Sequence, residues 1–511
     1  MIVKQIKLSS QSKDRLGRLK GKTGIKNWNV LCRWALCYSL GEYSMPTDVP
    51  VNADSNVEMS WFTFAGEYSD LYDALMKAWC IKMGLPIDDE TLSKYFKLHL
   101  ERGIAHLSGT NYIKNFRRFN KYRNKGELMG IYLDNNSSSP IDERVLAVMV
   151  DTYLNSYGNA DSRTHNHGEQ ARTIVENARK QVASLLGINS SEVFFTSGST
   201  ESNNITIQGL EEYALETNKK HIITSAIEHK SVLETVKMMK KKGFEVDIVN
   251  PDLSGQVNVQ EILDKVREDT LLVSIMHVNN ETGIIQPVDI LGAELEKRNI
   301  LFHVDATQSC GKLVDEIRNL KYNMLSFSAH KLKGPQGVGV LILKKKRYRL
   351  PPVKNIMYGG QQEHGIRPGT IPVALVAGCG KACEIAENEY KENSQKLKSL
   401  KAVLEELLNA SGVEYHYNGN QDYCVDSAAN ICFKGVMSEA LMLSSKQYCS
   451  VSNGSACTSK SYSPSYVLEA MGIPVEDIES SVRISWGAET NENEFCDNIS
   501  KMIEIAKSLV V

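Results

Sequence analysis

The sequence has no long apolar run and no leader-like segment. Hydrophobic residues make up 42% of its 511 residues, yet no apolar stretch approaches the ~20 residues that a membrane-spanning helix needs. The N-terminus, MIVKQIKLSSQSKDRLGRLK, is basic and lacks the apolar core of a secretory signal. We therefore expect a cytoplasmic protein with no membrane partner.

Cysteines are few for this length and irregularly spaced. The eleven residues include no CxxC pair, which argues against a disulfide framework and against a zinc site, so we predict no bound metal. Cys32 and Cys37 lie in NVLCRWALCYSL, which is predicted to be a buried helix face. Cys457 differs, because Gly and Ser crowd SVSNGSACTSKSYSPSYVL and predict an exposed loop. An exposed free thiol is chemically reactive, so we expect the reactivity of Cys457 to serve a function.

The net charge of −2 is unevenly distributed. Residues 1–130 carry 20 Lys and Arg against 13 Asp and Glu, whereas the remainder carries 39 against 48. Before residue 40, Asp14 is the only acid, and NYIKNFRRFNKYRNKG forms a second basic cluster. Such clusters can neutralise DNA phosphates, but most charge runs are simply solvated helix faces. The asymmetry indicates two functions on one chain.

After residue 130, short apolar runs alternate with amphipathic helices. The predicted strands are VFFTSG, HIITSA, EVDIVN, LLVSIMHV, LFHVDA, MLSFSA and VGVLIL. Near-continuous Val, Ile and Leu runs linked by helices are typical of an α/β sheet covered on both faces. From about residue 380, long charged helices and a smaller strand-containing region predict a second subdomain.

Three segments in this region can serve a phosphate-bearing aldehyde cofactor. In SFSAHKLKGPQGVGVL, Lys331 follows a strand, where a partly desolvated amine can attack an aldehyde; a surface lysine fits equally well. In LFHVDATQSCG, Asp305 and Gln308 end a strand, and a carboxylate there can keep a pyridine nitrogen protonated; Asp is also frequent in turns. In FFTSGSTESNN, Ser199 and Thr200 open a helix, which suits a phosphate or simple capping.

Together with IEHKSVLET and MHVNNETGIIQP, these segments resemble the NifS/IscS group of cysteine desulfurases, which are fold-type I pyridoxal-phosphate enzymes. The resemblance covers about residues 131–511. It implies a large domain, about 145–385, with a seven-stranded mainly parallel sheet, and a smaller α/β domain formed by about 131–144 and 386–511. It also implies pyridoxal 5'-phosphate as cofactor and L-cysteine as substrate, which becomes L-alanine while its sulfur remains on the enzyme as a persulfide.

The resemblance also assigns roles to individual residues. Lys331 would form the Schiff base with the cofactor, Cys457 would receive the sulfur, and His229 would stack on the ring as a third catalytic residue. The other cofactor contacts would come from Asp305, Asn280, Gln308, Ser199, Thr200, Ser328, His330 and Thr370. Thr370 in GIRPGT would reach the phosphate of a neighbouring subunit, which implies a homodimer or a higher homo-oligomer.

Two further features follow from the same comparison of motifs. Arg483 in SVRISWG matches the arginine that binds the substrate carboxylate, for which a planar fork is suited. The stretch IYLDNNSSSP carries Ser137, Ser138 and Ser139 where the family usually has YLDNNATTP. Hydroxyls remain available there, so we expect a tuned substrate pocket.

The N-terminal segment resembles another family. IKLSSQSKDRLGRLKGKTGIKNWNVLCRWALCYSLGE, FTFAGEYSDLYDALMKAW and KYFKLHLERGIAHL are similar to DndE, a small helical protein of bacterial DNA phosphorothioation systems. This implies a mainly helical domain over residues 1–112, followed by a basic linker, 113–130. It also implies DNA contact, for which Lys13, Arg18 and Lys22 are candidates.

Three functions remain open from the sequence. Phosphorothioation systems need a DndA-like cysteine desulfurase, so the chain can be a desulfurase that delivers sulfur to other phosphorothioation proteins. It can instead be a general desulfurase for iron–sulfur clusters or tRNA thiolation with an N-terminal interaction module. The third possibility is another fold-type I enzyme, such as an aminotransferase or a selenocysteine lyase, although Cys457 in its loop argues against an aminotransferase.

Overall fold

The computed structural model describes residues 2–23, 27–42, 44–51, 54–66, 69–109, 130–453 and 464–510. The chain divides into two compact units, Met1–Glu127 and Leu128–Val511. Cys457, the side chain of Lys22 and nearly all of the predicted linker lie outside the described residues. In the part of the chain that is described, no helix combines the length and apolar character that crossing a membrane requires.

The first unit is mainly helical, as predicted. Its elements are β1 (Gln5–Lys7), α1 (Ser10–Thr23), α2 (Trp28–Leu40), β2 (Glu58–Ser60), α3 (Trp61–Ala65), α4 (Ser69–Lys82) and α5 (Asp89–Gly109). β1 pairs antiparallel with β2, and α5 packs against α1 and α2. Trp61, Phe64 and Phe96 are buried with ring centroids 5.3 to 5.6 Å apart. These aromatic contacts form the centre of the core of this unit.

One prediction for this unit is wrong. Cys32 is buried in α2, but Cys37 is exposed. Five residues turn a helix by about 140° beyond one full turn, so the two thiols cannot share one face. The apolar residues on both sides of Cys37 led to the prediction that it is buried, although it lies on a different face of the helix from Cys32.

The large part of the second unit alternates strands and helices. Its elements are β3 (Ile131–Tyr132), α6 (Glu143–Asn155), α7 (Asn166–Leu186), β4 (Val193–Thr196), α8 (Ser199–Gln208), α9 (Glu211–Thr217), β5 (His221–Ser225), α10 (Lys230–Lys241), β6 (Glu245–Val249), α11 (Val259–Lys265), β7 (Thr270–Met276), α12 (Val288–Lys297), β8 (Leu301–Asp305), α13 (Val314–Asn319), β9 (Met324–Ser328) and β10 (Gly339–Leu343).

The predicted strands form one seven-stranded sheet in the order β4-β10-β9-β8-β7-β5-β6. β10 runs antiparallel to β4 and β9, and the other neighbours are parallel. Successive strand residues enter different cores, since Phe194 packs in one hydrophobic cluster and Phe195 in another. Both faces are therefore covered, which explains the continuous apolar runs. The predicted mainly parallel α/β fold is confirmed.

The remaining elements build the smaller part of this unit. They are α14 (Val373–Ser411), β11 (Tyr415–Tyr417), β12 (Ala428–Phe433), α15 (Ser438–Ser445), β13 (Cys449–Ser450), α16 (Tyr466–Ala470), α17 (Val475–Glu479), β14 (Ser481–Ser485) and α18 (Glu492–Ser508). β11, β12 and β14 form an antiparallel sheet, and β13 pairs in parallel with β3. The exact limits of the two domains stay predictions, because α14 contributes to the hydrophobic clusters of both.

Candidate active site at the ends of the strands

The predicted cofactor residues lie at one edge of the large sheet. Asp305 is the last residue of β8, and Ser328 is the last residue of β9. Lys331 ends a short 3₁₀ turn, Ala329–Lys331, directly after β9. His229 immediately precedes α10 after β5, and Asn280 follows β7. The carboxyl ends of parallel strands meet at one edge of a sheet, and ligands of α/β folds bind there.

The Lys331 amine contacts the segment that departs from the family pattern. Its Nζ donates hydrogen bonds to the carbonyl oxygens of Asn136 at 2.5 Å and Ser137 at 2.7 Å. Gln308 Nε2 donates to the same Asn136 oxygen at 2.9 Å. The Asn136 carbonyl therefore binds both Lys331 and Gln308, two residues predicted to contact the cofactor.

The Asp305 carboxylate is buried and held by several donors. Its Oδ2 accepts from Asn203 Nδ2 at 2.8 Å, and its Oδ1 accepts from the backbone N–H of Thr307 at 3.0 Å and from the Thr307 hydroxyl. These hydrogen bonds fix the orientation of the Asp305 carboxyl group at the end of β8.

A short relay joins this carboxylate to His229. Asn203 Nδ2 also donates to Ser231 Oγ at 2.9 Å, and Ser231 Oγ lies 2.8 Å from His229 Nδ1. The Ser231 backbone N–H donates to the same Nδ1 at 3.1 Å, so Nδ1 is an acceptor and Nε2 carries the proton of the neutral ring. His229 borders an open cavity, yet desolvation by the surrounding protein lowers its pKa, with Lys331 and Lys230 adding to the effect and Asp305 opposing it. The imidazole is therefore neutral at physiological pH.

The N-terminus of α8 forms a cradle next to β9 and β10. Gly198 is the N-cap residue, and no side chain caps the helix there. A Cβ at Gly339 would lie 2.5 Å from the Cα and carbonyl carbon of Gly198, and a Cβ at Gly198 would lie 3.7 Å from Ser328 Oγ. Ser199 and Thr200 start the helix. Free backbone N–H groups and hydroxyls at a helix N-terminus suit a phosphate.

The three serines of the divergent segment all contact predicted site residues. Ser138 Oγ lies 3.2 Å from His330 Nδ1, and Ser139 Oγ donates to the His330 carbonyl at 2.8 Å. Ser137 Oγ accepts from Arg483 Nη2 at 2.7 Å. Burial, assisted by the positive charge of Lys331, lowers the pKa of His330 to about 4. Ser138 and Ser139 therefore surround neutral His330 with hydroxyl groups, whereas Ser137 contacts Arg483.

Arg483 is buried on β14 and joins the smaller sheet to this site. Its Nη2 donates to Asp134 Oδ1 at 2.5 Å, and its Nη1 donates to the Asn280 carbonyl at 3.0 Å. Arg483 Nε is buried without a partner among the described residues. The guanidinium thus contacts Asp134 and the Asn280 carbonyl, and its Nε has no partner among the described residues.

Several other buried polar atoms lack partners among the described residues. Two of them, Gln308 Oε1 and Asn280 Oδ1, belong to residues predicted to contact the cofactor ring. An unpaired buried polar atom costs about 1–3 kcal/mol, so a ligand with polar atoms would relieve this penalty. With the Asp305 carboxylate, the Lys331 amine and the uncapped α8 N-terminus, the residues present fit pyridoxal phosphate.

Thr370 stands apart from this cluster. It is exposed, in a loop that Arg367 attaches to the first turn of α8, with Arg367 Nε 3.1 Å from Glu201 Oε1. The loop thus lies near the helix end predicted to bind phosphate, and its threonine faces outward.

Sequence reasoning missed the residues that hold the cofactor contacts in place. Asn203 bonds both Asp305 and Ser231, and the Asn136 carbonyl receives both Lys331 and Gln308. A signal for Asn203 was available, since Asn is unfavourable inside helices and TESNNITIQ places two in succession within α8.

Comparison with known proteins agrees with this geometry. Residues 131–496 match the family model described as aminotransferase class-V, and residues 5–115 match that of DNA sulphur modification protein DndE. Cysteine desulfurase IscS of Pasteurella multocida (strain Pm70) is 43% identical over 383 residues, covering 74% of this chain and 92% of that protein. A NifS-like protein structure is 37% identical, with a TM-score of 0.68, over 75% of this chain and 100% of its own. The structure of DndA from Streptomyces lividans is 40% identical, with a TM-score of 0.61, over 70% and 99%.

The fold and the site define a fold-type I enzyme of pyridoxal phosphate. The chain belongs to the class-V aminotransferase family, in the group of the IscS-type cysteine desulfurases, and its first unit matches the DndE family. Both resemblances drawn from the sequence are therefore confirmed, and so is the predicted cofactor.

Proposed function

We propose that this protein is a cysteine desulfurase that supplies sulfur for DNA phosphorothioation. The observation that carries the enzymatic part is the convergence of Lys331, Asp305 and His229 beside the uncapped N-terminus of α8. Relatives named cysteine desulfurase support L-cysteine as the substrate.

When bound, pyridoxal phosphate supplies an aldehyde carbon for amines and a protonated ring that takes up the electron pair left on the substrate Cα. Asp305, held by Asn203 and Thr307, would pair with the ring nitrogen and keep it protonated. The α8 N-terminus, Ser199, Thr200, Ser328 and His330 would hold the phosphate. Gln308 and Asn280 offer their unpaired amide oxygens, or after an amide flip their N–H groups, to polar atoms of the ring.

The amine of Lys331 would hold the cofactor and would be the base that removes the Cα proton of the substrate. Its two carbonyl partners, Asn136 and Ser137, hold it close to the strand ends. Neutral His229 can lie against the ring without adding a positive charge. Arg483 would bind the substrate carboxylate with its unpaired Nε and with Nη2, exchanging its bond to Ser137 for the ligand.

Cys457 receives the sulfur in this proposal. Its thiolate attacks the sulfur of the substrate, the new S–S bond replaces the C–S bond of cysteine, and the electron pair of that C–S bond remains with the carbon skeleton, which is protonated and leaves as alanine. Purified protein loaded with pyridoxal phosphate should produce alanine and, with a thiol reductant, sulfide in equal amounts. Lys331→Ala should produce neither. Production of alanine without sulfur release would point instead to a different class-V reaction.

The DNA-related part of the proposal depends on the first unit. Its family is described as a DNA sulphur modification protein, and α1 presents Arg18 to solvent and Lys13 partly exposed. We propose that this unit contacts DNA and that other phosphorothioation proteins accept the sulfur. Host DNA should lose phosphorothioate linkages after deletion of the gene and regain them with the wild-type chain but not with Lys331→Ala. Unchanged linkages after deletion would favour the alternative, a general desulfurase for iron–sulfur clusters or tRNA thiolation.

We further propose a homodimer in which Thr370 reaches the phosphate bound by the other subunit. Thr370 is exposed. The C-terminal end of α6 exposes Tyr153 and Leu154 by 59% and 69%, and Tyr157, just beyond this helix, is 71% exposed, so large apolar side chains are clustered at the surface there. Mixing Lys331→Ala with Thr370→Asp subunits should restore activity, because one site of each mixed dimer keeps both residues. No recovery on mixing would mean that Thr370 acts within its own subunit or not at all.

A further inference from the structure

The chain on both sides of the Cys457 segment is attached to elements that carry predicted site residues. Before that segment, Ser452 pairs with Arg483 through two backbone hydrogen bonds: Ser452 N donates to Arg483 O at 3.2 Å, and Arg483 N donates to Ser452 O at 2.5 Å. Arg483 in turn donates to the Asn280 carbonyl. Both of these hydrogen bonds join backbone atoms.

The attachment after the segment is made by side chains. Ser465 Oγ donates to Glu281 Oε2 at 2.5 Å, and both residues are buried. Glu281 directly follows Asn280, and it is itself fixed, since its N–H donates to Asn279 Oδ1 at 2.8 Å and its carbonyl accepts from Asn430 Nδ2 at 3.1 Å. Ser465 is also the N-cap of α16. A rigid acidic residue thus holds the start of this helix.

Tyr466 adds a second attachment beside the first. Its hydroxyl donates to the Glu228 carbonyl at 2.8 Å, and Lys230 Nζ lies 5.6 Å from the centre of its ring. Glu228 and Lys230 flank His229 in the sequence. Ser465 and Tyr466 therefore contact residues that are adjacent in sequence to Asn280 and His229, two of the predicted cofactor residues.

Burying a carboxyl group costs free energy, because the group loses its hydration. Burial raises the pKa of Glu281, while Ser465, Arg483 and Lys230 lower it. An apolar residue of similar volume is often as stable or more stable in such a place, whereas a polar contact fixes one arrangement. The Glu281–Ser465 bond is thus better explained by the arrangement it fixes than by the stability it adds.

We propose that Glu281 and Ser465 are positioning residues for sulfur transfer. Their hydrogen bond fixes the point from which the Cys457 segment leaves the fold, relative to Asn280 and the cofactor site. Ser465 follows Cys457 by eight positions, a length of chain that can span up to roughly 28 Å. A misplacement of reacting groups by about 1 Å can slow a reaction about 100-fold. This inference rests on the proposed role of Cys457.

The test separates substrate binding from sulfur transfer in the loaded full-length protein. Ser465→Ala removes the donor and Glu281→Ala the acceptor, whereas Ser465→Thr and Glu281→Gln keep a hydroxyl donor and an oxygen acceptor. The change in the cofactor absorption spectrum on adding cysteine reports substrate binding. Mass spectrometry of the Cys457 peptide after a single turnover reports persulfide formation. Asn491→Ala, which removes the cap of α18, controls for the loss of a helix cap.

We expect Ser465→Ala and Glu281→Ala to slow persulfide formation at least about tenfold, equivalent to about 1.4 kcal/mol, with an unchanged spectral response to cysteine. Ser465→Thr, Glu281→Gln and Asn491→Ala should form persulfide at close to the wild-type rate. Equal loss of the spectral response and of persulfide would show a purely structural role and overturn the inference, as would wild-type persulfide rates in Ser465→Ala. Absence of persulfide from the wild-type protein would instead refute the proposed function itself.

Discussion

Gly339→Ala is a direct test of the phosphate cradle. Gly339 opens β10 and pairs with Thr196 on one side and Ser328 on the other. An added Cβ would lie 2.5 Å from the Cα and carbonyl carbon of Gly198, where ordinary contact begins at 3.4 Å. These contacts are with backbone atoms, which cannot rotate out of the way as a flexible side chain can. The backbones at Gly339 and Gly198 must therefore move apart by about an ångström, which displaces the N-terminus of α8 relative to β10.

The size of the effect follows from this displacement. Overpacking of this kind costs roughly 1–3 kcal/mol of folding free energy. A hydrogen bond to a charged group contributes about 1.5–3 kcal/mol, and losing one of them to the phosphate corresponds to an affinity about 10- to 100-fold weaker. We therefore expect Gly339→Ala to raise the dissociation constant of pyridoxal phosphate by that factor.

Titration of the apoprotein, followed by absorbance, measures this change. Pyridoxal, which lacks the phosphate, should bind the variant and the wild-type protein with similar affinity. Gly17→Ala is a suitable control, because no atom lies within 4 Å of the added Cβ. Wild-type affinity for pyridoxal phosphate in Gly339→Ala, or an equal loss for pyridoxal, would refute the assignment of this helix end to the phosphate.

Three further predictions concern the amine, a buried acid and the basic helix. Purified protein should be yellow, and Lys331→Ala should abolish the visible absorption band; a colourless wild type that cannot be reconstituted would contradict the cofactor site. Burial raises the pKa of Glu228 to about 8, so the native state keeps a proton that the unfolded chain loses from about pH 4.5 upward. The free energy of unfolding should therefore fall as pH rises toward 8. Glu228→Gln should reduce the difference between thermal unfolding at pH 5 and at pH 8, and an unchanged difference would refute this prediction. Reversing Lys13, Arg18 and Lys22 to Glu should weaken binding to duplex DNA of any sequence and reduce its salt dependence without changing desulfurase activity; binding indifferent to salt and to these changes would favour a protein-interaction role.

Much of the large domain could be predicted from the sequence because its strands are buried on both faces. The seven apolar runs contain little besides strand residues, so each could be located without knowing its neighbours in the sheet. Residues at strand ends, such as Asp305 and Lys331, were recognisable since motifs of the family surround them. Their meeting at one edge then follows from the parallel arrangement.

The contacts that fix the site could not be predicted in the same way. Asn203 and Asp305 are 102 positions apart, Lys331 and Asn136 are 195 apart, and Arg483 and Asp134 are 349 apart. No local pattern encodes such pairs. The divergent serines show the same limit: the sequence marked Ser137 as unusual, and only the structure shows that it contacts Arg483.

The central claim is that sulfur passes from free cysteine to Cys457, and one measurement tests it most directly. The loaded protein is mixed with L-cysteine in the absence of reductant, and the peptide containing Cys457 is analysed by mass spectrometry. We predict a mass increase of one sulfur atom on Cys457 and an equal amount of alanine. The Cys457→Ser protein should show the same spectral response of the cofactor to cysteine and release no sulfide on later reduction. Sulfide release at the wild-type rate from Cys457→Ser, or extra sulfur found on another cysteine, would contradict the account.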